Sequence, residues 1–145
     1  GALDPQFSPQ ILRALELEDL EVRELVRVDR APTSVSSGAT VADVIEAAQR
    51  SGHLRILVDA DAPGVPRVVH VRDVLLEPTD RPVTDVQREP LRLDADTKVA
   101  DALQRMRSTS TQFSVVLDGD RLLGVLTMAD LVQRLLRAET EPSRS

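Results

Sequence analysis

The chain has 145 residues, 41% of them hydrophobic and 29% charged, so it has enough apolar content to bury a core in one compact unit. Its 24 Asp and Glu outweigh 18 Lys and Arg for a net charge of -6, and no basic run is interleaved with aromatics, which argues against a nucleic-acid partner. Cysteine is absent, which removes disulfides, thiolate metal ligands and cysteine nucleophiles, and no apolar run reaches the ~20 residues of a membrane helix. Phe7 and Phe113 are the only aromatic residues, so a purine bound here would lie between aliphatic side chains.

In chain order, Gly1 to Phe7 has no periodicity and no initiating Met and is expected to be a disordered tip. Ser8-Pro9 reads as the start of a short helix ending near Leu17, with Ile11, Leu12 and Leu15 on its apolar face. Glu18 to Leu25 suggests another helical turn, and Asp29 to Gly38 an extended segment. Thr40 caps a helix whose buried stripe is Val41, Val44, Ile45 and Ala48, stopped at Ser51-Gly52. A strand over Arg55 to Ala60, a Pro/Gly turn over Asp61 to Pro66 and a strand over Arg67 to Val71 form a hairpin, followed by a short helix, Arg72 to Glu77. Pro78 to Pro82 is a stiff break.

The second half repeats this order. A leading segment, Val83 to Leu93, opens with a helical turn; Val99, Ala102, Leu103 and Met106 mark a helix; Phe113 to Leu117 is a strand and Asp118-Gly119-Asp120 a turn. Leu122 to Leu126 is then a strand that becomes a helix at Thr127, with Met128, Leu131, Val132, Leu135 and Leu136 on one face. Val41-Ala42-Asp43 matches Val99-Ala100-Asp101 at an offset of 58, and His70 to Leu75 matches Thr127 to Val132 at an offset of 57. Such matched spacing indicates an internal duplication, with repeats at 22–78 and 79–138, a tail and linker helix at 1–21 and a C-terminal tail at 139–145.

The duplicated pattern of apolar strand, Gly124, apolar residues, Thr127, two residues, Asp130 and an amphipathic helix resembles a tandem pair of cystathionine-β-synthase (CBS) domains, a Bateman module, over roughly residues 22–137. Ser51-Gly52-His53-Leu54-Arg55-Ile56-Leu57-Val58 and Val68-Val69-His70-Val71-Arg72-Asp73-Val74-Leu75 are most similar to the modules of CorC/CNNM (HlyC-like) membrane proteins, implicated in magnesium transport or efflux. The resemblance implies an α+β fold of two helix-strand-strand-helix repeats, with small mixed sheets flanked by helices and a pseudo-two-fold axis. It further implies regulatory binding of ATP or AMP, with Mg2+ arriving only on the nucleotide and no obligatory cofactor. Homodimers formed through the modules follow as well, with a transmembrane domain of the parent protein as partner, which would place this otherwise soluble fragment at the cytoplasmic face of the cell membrane.

By the same resemblance Asp130 accepts from ribose hydroxyls and Thr127 contacts ribose or phosphate, with Asp73 and His70 at the matching positions and Val115, Val116 and Leu126 beside the base. From the residues alone, Thr127 and Asp130 equally fit a capping box at a helix start whose leading amides could face a phosphate. Arg55 could reach a phosphate or extend its head into solvent, and Arg30 is a weaker candidate for the same task. A lone His70 at a strand end also fits a structural role, and His53 reads as a loop residue. No metal ligand set and no catalytic constellation is visible, so an enzyme is not expected. Three departures from the pattern, Val26-Arg27-Val28-Asp29 for Met-x-Pro-Arg, Arg67 for glycine and Ala129 for glutamate, leave open an alternative: a degenerate pair serving as a structural dimerisation module. The first-repeat site is the one expected to be empty.

Overall fold

The computed structural model describes residues 9, 10, 13, 19–26, 31–60 and 64–140, and side chains of the last helix only as far as Leu136, Leu135 excepted. Pro9, Gln10 and Arg13 are helical; the rest of the expected N-terminal helix, the segment 27–30 with Arg30, the turn residues 61–63 and the tail 141–145 lie outside the described residues.

Over the described residues from 31 onward, six strands and three α-helices follow in the order β1 (Ser34–Val35), α1 (Val41–Ser51), β2 (Arg55–Val58), β3 (Arg67–His70), β4 (Leu91–Asp94), α2 (Val99–Ser108), β5 (Phe113–Asp118), β6 (Arg121–Thr127) and α3 (Met128–Thr140). The strands form two three-stranded sheets, β1-β2-β3 and β4-β5-β6. In the first, β1 runs parallel to β2 and β3 antiparallel to it, with Arg55 opposite His70 and Leu57 opposite Val68. The short strands β1 and β4, expected only as parts of leading segments, add a third strand to each hairpin. The expected helix over Arg72 to Glu77 is instead a 3-10 turn, Val71–Asp73, continued by i→i+3 bonds from Val74 N–H to Val71 O and Glu77 N–H to Val74 O. Pro78 follows Glu77 and disfavours the α conformation there, so the stretch stays a run of i→i+3 turns and does not lengthen into an α-helix.

The chain divides into two compact units, one of residues 1–26, 91–116 and 125–145, the other of 27–90 and 117–124. The second unit is built around α1. Thr40 and Asp43 close a capping box, Val41, Val44 and Ala47 are buried, and Gly52 ends the helix at φ 77° with its N–H on Ala48 O at 2.8 Å. These side chains join Ala39, Ile56, Val58, Val69, Val71, Val74 and Val83 in one core. In the first unit Val22, Leu93, Val99, Leu103, Met106, Val115, Leu126 and Leu131 are fully buried. Ser114, the one buried polar residue among the described ones, donates to Leu126 O at 2.8 Å and so satisfies its hydroxyl.

Each unit takes one 3-10 turn from the other half of the sequence, Val22–Glu24 in the first unit and Val83–Asp85 in the second. In the first unit, Val22 N–H donates to Thr97 O (2.8 Å), Arg23 N–H to Ala95 O (3.2 Å) and Val99 N–H to Leu20 O (2.8 Å). In the second, Val41 N–H donates to Arg81 O (2.9 Å), Ala42 N–H to Thr79 O (2.9 Å) and Val83 N–H to Ala39 O (3.0 Å). Val22 and Val83, equivalent positions of the two turns, are both completely buried.

Candidate ligand-binding site

The junction of β6 with α3 carries Thr127 and Asp130. Thr127 N–H donates to Asp130 Oδ2 at 2.9 Å, and Asp130 N–H donates to Thr127 Oγ1 at 3.1 Å, a reciprocal capping box. Met128 N–H is also engaged, by Gln112 O at 2.9 Å. Of the first three helical amides, only that of half-turn neighbour Ala129 has no partner among the described residues. The expected cradle of free amides is therefore largely closed, because the residues that start the helix satisfy it themselves. What stays available is side-chain chemistry. Thr127 Oγ1 acts only as an acceptor, which leaves its proton to donate, and Asp130 uses Oδ2, which leaves Oδ1 to accept. Both residues are partly exposed. One donor and one acceptor side by side suit a sugar hydroxyl edge.

Beside them, β6 alternates: Gly124 and Leu126 are buried while Val125 and Thr127 share the half-buried face. Val115, Val116 and Leu126 are fully buried and present no surface to a base in this structure. Val125 is the aliphatic residue of this junction that does, and the two-residue alternation back from Thr127 is the signal that points to it.

The matching junction in the second unit is charged differently. Asp73 lies in the 3-10 turn after β3, and Arg88 Nη2 sits 2.6 Å from its Oδ2, with Arg72 Nε 4.0 Å from its Oδ1. Arg88 is held in place by reciprocal backbone bonds with Val68, N–H to O at 2.9 and 2.7 Å. The sequence pattern missed Arg88, since it is brought to Asp73 only by the folding of the segment after the 83–85 turn along β3. His70 is half-buried beside Arg55 across the β2–β3 pair. Burial first, then the positive charges of Arg55, Arg88 and Arg72, lower its proton affinity below the ordinary value, with Asp73 opposing them. Arg67, at the position where glycine was expected, pairs with Glu89 and so is anchored along the sheet edge. His53 is in the loop after α1, its Nδ1 2.7 Å from Thr33 Oγ1. Among the described residues no cluster of His, Asp and Glu could hold a metal ion, and no helix is long and apolar enough to cross a membrane.

Two three-stranded sheets flanked by helices give the chain the α+β fold of a CBS-domain pair. The CBS domain family model matches residues 83–137. The chain is similar to a UPF0053 protein of Mycobacterium tuberculosis (strain CDC 1551 / Oshkosh), with 28% identity over 142 residues, 94% of this chain and 31% of the relative. The chain thus spans about a third of the curated relative it matches. Its fold is that of the CBS domain of the bacterial CNNM/CorC family Mg2+ transporter in complex with ATP, at a TM-score of 0.75 and 19% identity, covering 88% of this chain and 98% of that one. A CBS domain protein from Pyrobaculum aerophilum complexed with AMP aligns at a TM-score of 0.69 and 24% identity, over 81% of this chain and 98% of its own.

Proposed function

We propose that this chain is a regulatory module of two CBS repeats, 22–78 and 79–138, that binds an adenine nucleotide through Thr127 and Asp130. The observation that carries the reading is the pair of unused polar sites at that junction: a hydroxyl proton on Thr127 and Oδ1 of Asp130, both partly exposed. A carboxylate oxygen next to a hydroxyl donor can take a ribose diol, and Val125 offers an aliphatic edge on the same face. Support comes from fold neighbours that hold ATP or AMP. In this reading the module is the cytosolic part of a CorC/CNNM-like magnesium or divalent-cation transporter, it forms homodimers, it has no catalytic role, and Mg2+ enters only with ATP phosphates. Nucleotide biases the parent's membrane domain by its differential affinity for two conformations, and by no more than that.

Thermal shift with AMP, ADP, and ATP with and without Mg2+ tests the reading. Ligand at 100 times its Kd adds ~2.7 kcal/mol of stability; no shift at millimolar nucleotide would sink it. A second reading, a dimerisation module without nucleotide, draws on the exposed Leu54 (70%), Leu75 (62%) and Leu76 (100%). It expects a dimer by light scattering that no nucleotide stabilises.

A further inference from the structure

We infer that Asp118 is a site of spontaneous backbone isomerisation: the amide nitrogen of Gly119 closes on the aspartate side chain, and the ring reopens as an isoaspartyl linkage at the tip of the β5–β6 hairpin. The chain holds no asparagine, and Asp118-Gly119 is its single Asp-Gly pair. The fold leaves that pair open to reaction. Asp118 ends β5 and is exposed, and only Gly119 and Asp120, both exposed, join it to β6 at Arg121. Among the described residues its carboxylate has no hydrogen-bond or ion-pair partner. The Gly119 N–H lies in the turn, outside both strands, and donates to no described residue. Gly119 stands at φ 65° with nothing within 4 Å of the place a β-carbon would take, so no side chain screens its nitrogen from the carboxyl carbon before it. Asp94, Asp96, Asp101 and Asp120 are also exposed, but each precedes a residue whose β-carbon crowds the same approach.

The reaction needs no partner but water. Gly119 nitrogen attacks Cγ of Asp118, and the new N–Cγ bond closes a succinimide ring. The amide proton, one carboxylate oxygen and a proton from solvent leave as water. Water then adds to either ring carbonyl. Addition at Cγ breaks the bond just formed and restores Asp118. Addition at the main-chain carbonyl breaks the original peptide bond to Gly119, so the chain runs through Cβ and Cγ and the former carbonyl becomes a free carboxylate. Nothing is oxidised or reduced, and the final mass equals the first. The main chain is then longer by one methylene, in a turn that joins two strands through two residues, where turn length fixes the strand register. Leu117 is buried immediately before the altered link, and Leu126, further along β6, is fully buried. The extra atom therefore loosens pairing at the tip, around Leu122 and Leu123, ahead of the part of β6 that the core holds.

No nucleotide enters the experiment, so its outcome is separate from that of the Thr127 and Asp130 reading. The 145-residue chain is aged in warm neutral buffer, once folded and once unfolded in urea, and digested with trypsin, which cuts after Arg107 and Arg121 and releases Ser108 to Arg121 as one peptide. The folded sample is expected to yield a form of this peptide lighter by one water, then an isoaspartyl form of unchanged mass. Electron-transfer fragmentation places the new linkage at residue 118, and ageing in heavy-oxygen water adds one heavy oxygen there. Asp120, in the same peptide but followed by Arg121, stays unchanged as the internal control. Conversion of the folded chain within severalfold of the unfolded rate bears the inference out. A folded chain that keeps its ordinary Asp118 linkage while the unfolded chain converts overturns it, since the turn would then protect the pair. Hydrogen exchange on the separated isoaspartyl form is expected to be faster at Leu122 and Leu123 and unchanged in α2; unaltered exchange at the tip refutes the effect on register. Asp118→Ser abolishes both the mass change and the faster exchange, and persistence of either in that variant assigns the chemistry to another residue and overturns the inference.

Discussion

Val22→Ala and Val83→Ala test whether each compact unit depends on a turn taken from the other half of the sequence. Val22 is completely buried and its N–H is bonded to Thr97 O, while Val83 is completely buried with its N–H on Ala39 O. Removing two methyl carbons costs about 0.8 kcal/mol each in transfer, and the cavity left behind brings the total to roughly 2–3 kcal/mol. The loss is local before it is global, so native-state hydrogen exchange is the suitable assay. Val22→Ala is expected to lower protection of Ala102, Leu103 and Met106 in α2, and Val83→Ala to lower that of Val44, Ala47 and Ala48 in α1. Sequence order alone assigns Val22 to the repeat that contains α1. If Val22→Ala loosened α1 and spared α2, the pairing described above would be wrong.

Asp130→Ala leaves Thr127 N–H without its partner at 2.9 Å and should cost about 1 kcal/mol, while Asp130→Asn keeps an acceptor for that bond and stays within a few tenths; urea melts read both. If Asp130 binds nucleotide as proposed, Asp130→Ala also abolishes the thermal shift with AMP, whereas a purely capping residue leaves it intact. Gly52 caps α1 at φ 77°, so Gly52→Ala should destabilise by about 1 kcal/mol despite the open space around it, measured by the same melts. His70 has its proton affinity lowered from the ordinary 6.5, so the unfolded chain takes up that proton first as pH falls. Stability from this group is undiminished above pH 6.5, declines as pH drops towards the lowered folded value and is flat below it; His70→Gln removes that part of the slope in a series of melts against pH.

Much of the fold follows from periodicity and punctuation. The stripe Val41, Val44, Ile45 and Ala48, with Thr40 before it and Gly52 after it, marks α1, although Ala47 is buried where Ile45 and Ala48 are only half-buried, and Thr127 with Asp130 marks the last strand-to-helix switch. The strands β1 and β4 were less apparent because two to four residues carry too little alternation, and they exist only by pairing with neighbours distant in sequence. The expected helix after His70 failed for a local reason. Val71-Arg72-Asp73-Val74 offers β-branched residues at both ends, and Pro78 closes the stretch before a second turn can form. The site divides along the same lines: Thr127, Asp130, Asp73 and His70 stand out through the duplication, whereas Arg88 belongs to no motif and reaches Asp73 only through the fold.

That one arginine separates the two junctions chemically. An Asp whose carboxylate is paired with a guanidinium at 2.6 Å cannot also serve a sugar diol without loosening that ion pair. At Asp130 the corresponding oxygen is held by a backbone amide at 2.9 Å, and among the described residues the second oxygen has no partner. The two matched junctions thus differ in what they leave open: Arg88 stands against Asp73, whereas Asp130 keeps one carboxylate oxygen unengaged among the described residues. Arg88→Ala should reverse part of this division. It frees Asp73 and lowers the local positive charge, so the His70 midpoint rises, because a cation that repelled its proton is gone while Asp73, which attracts it, remains. NMR titration of the variant reads the change, and a His70 midpoint that moved down instead would show that Arg88 acts on His70 through structure and not through charge.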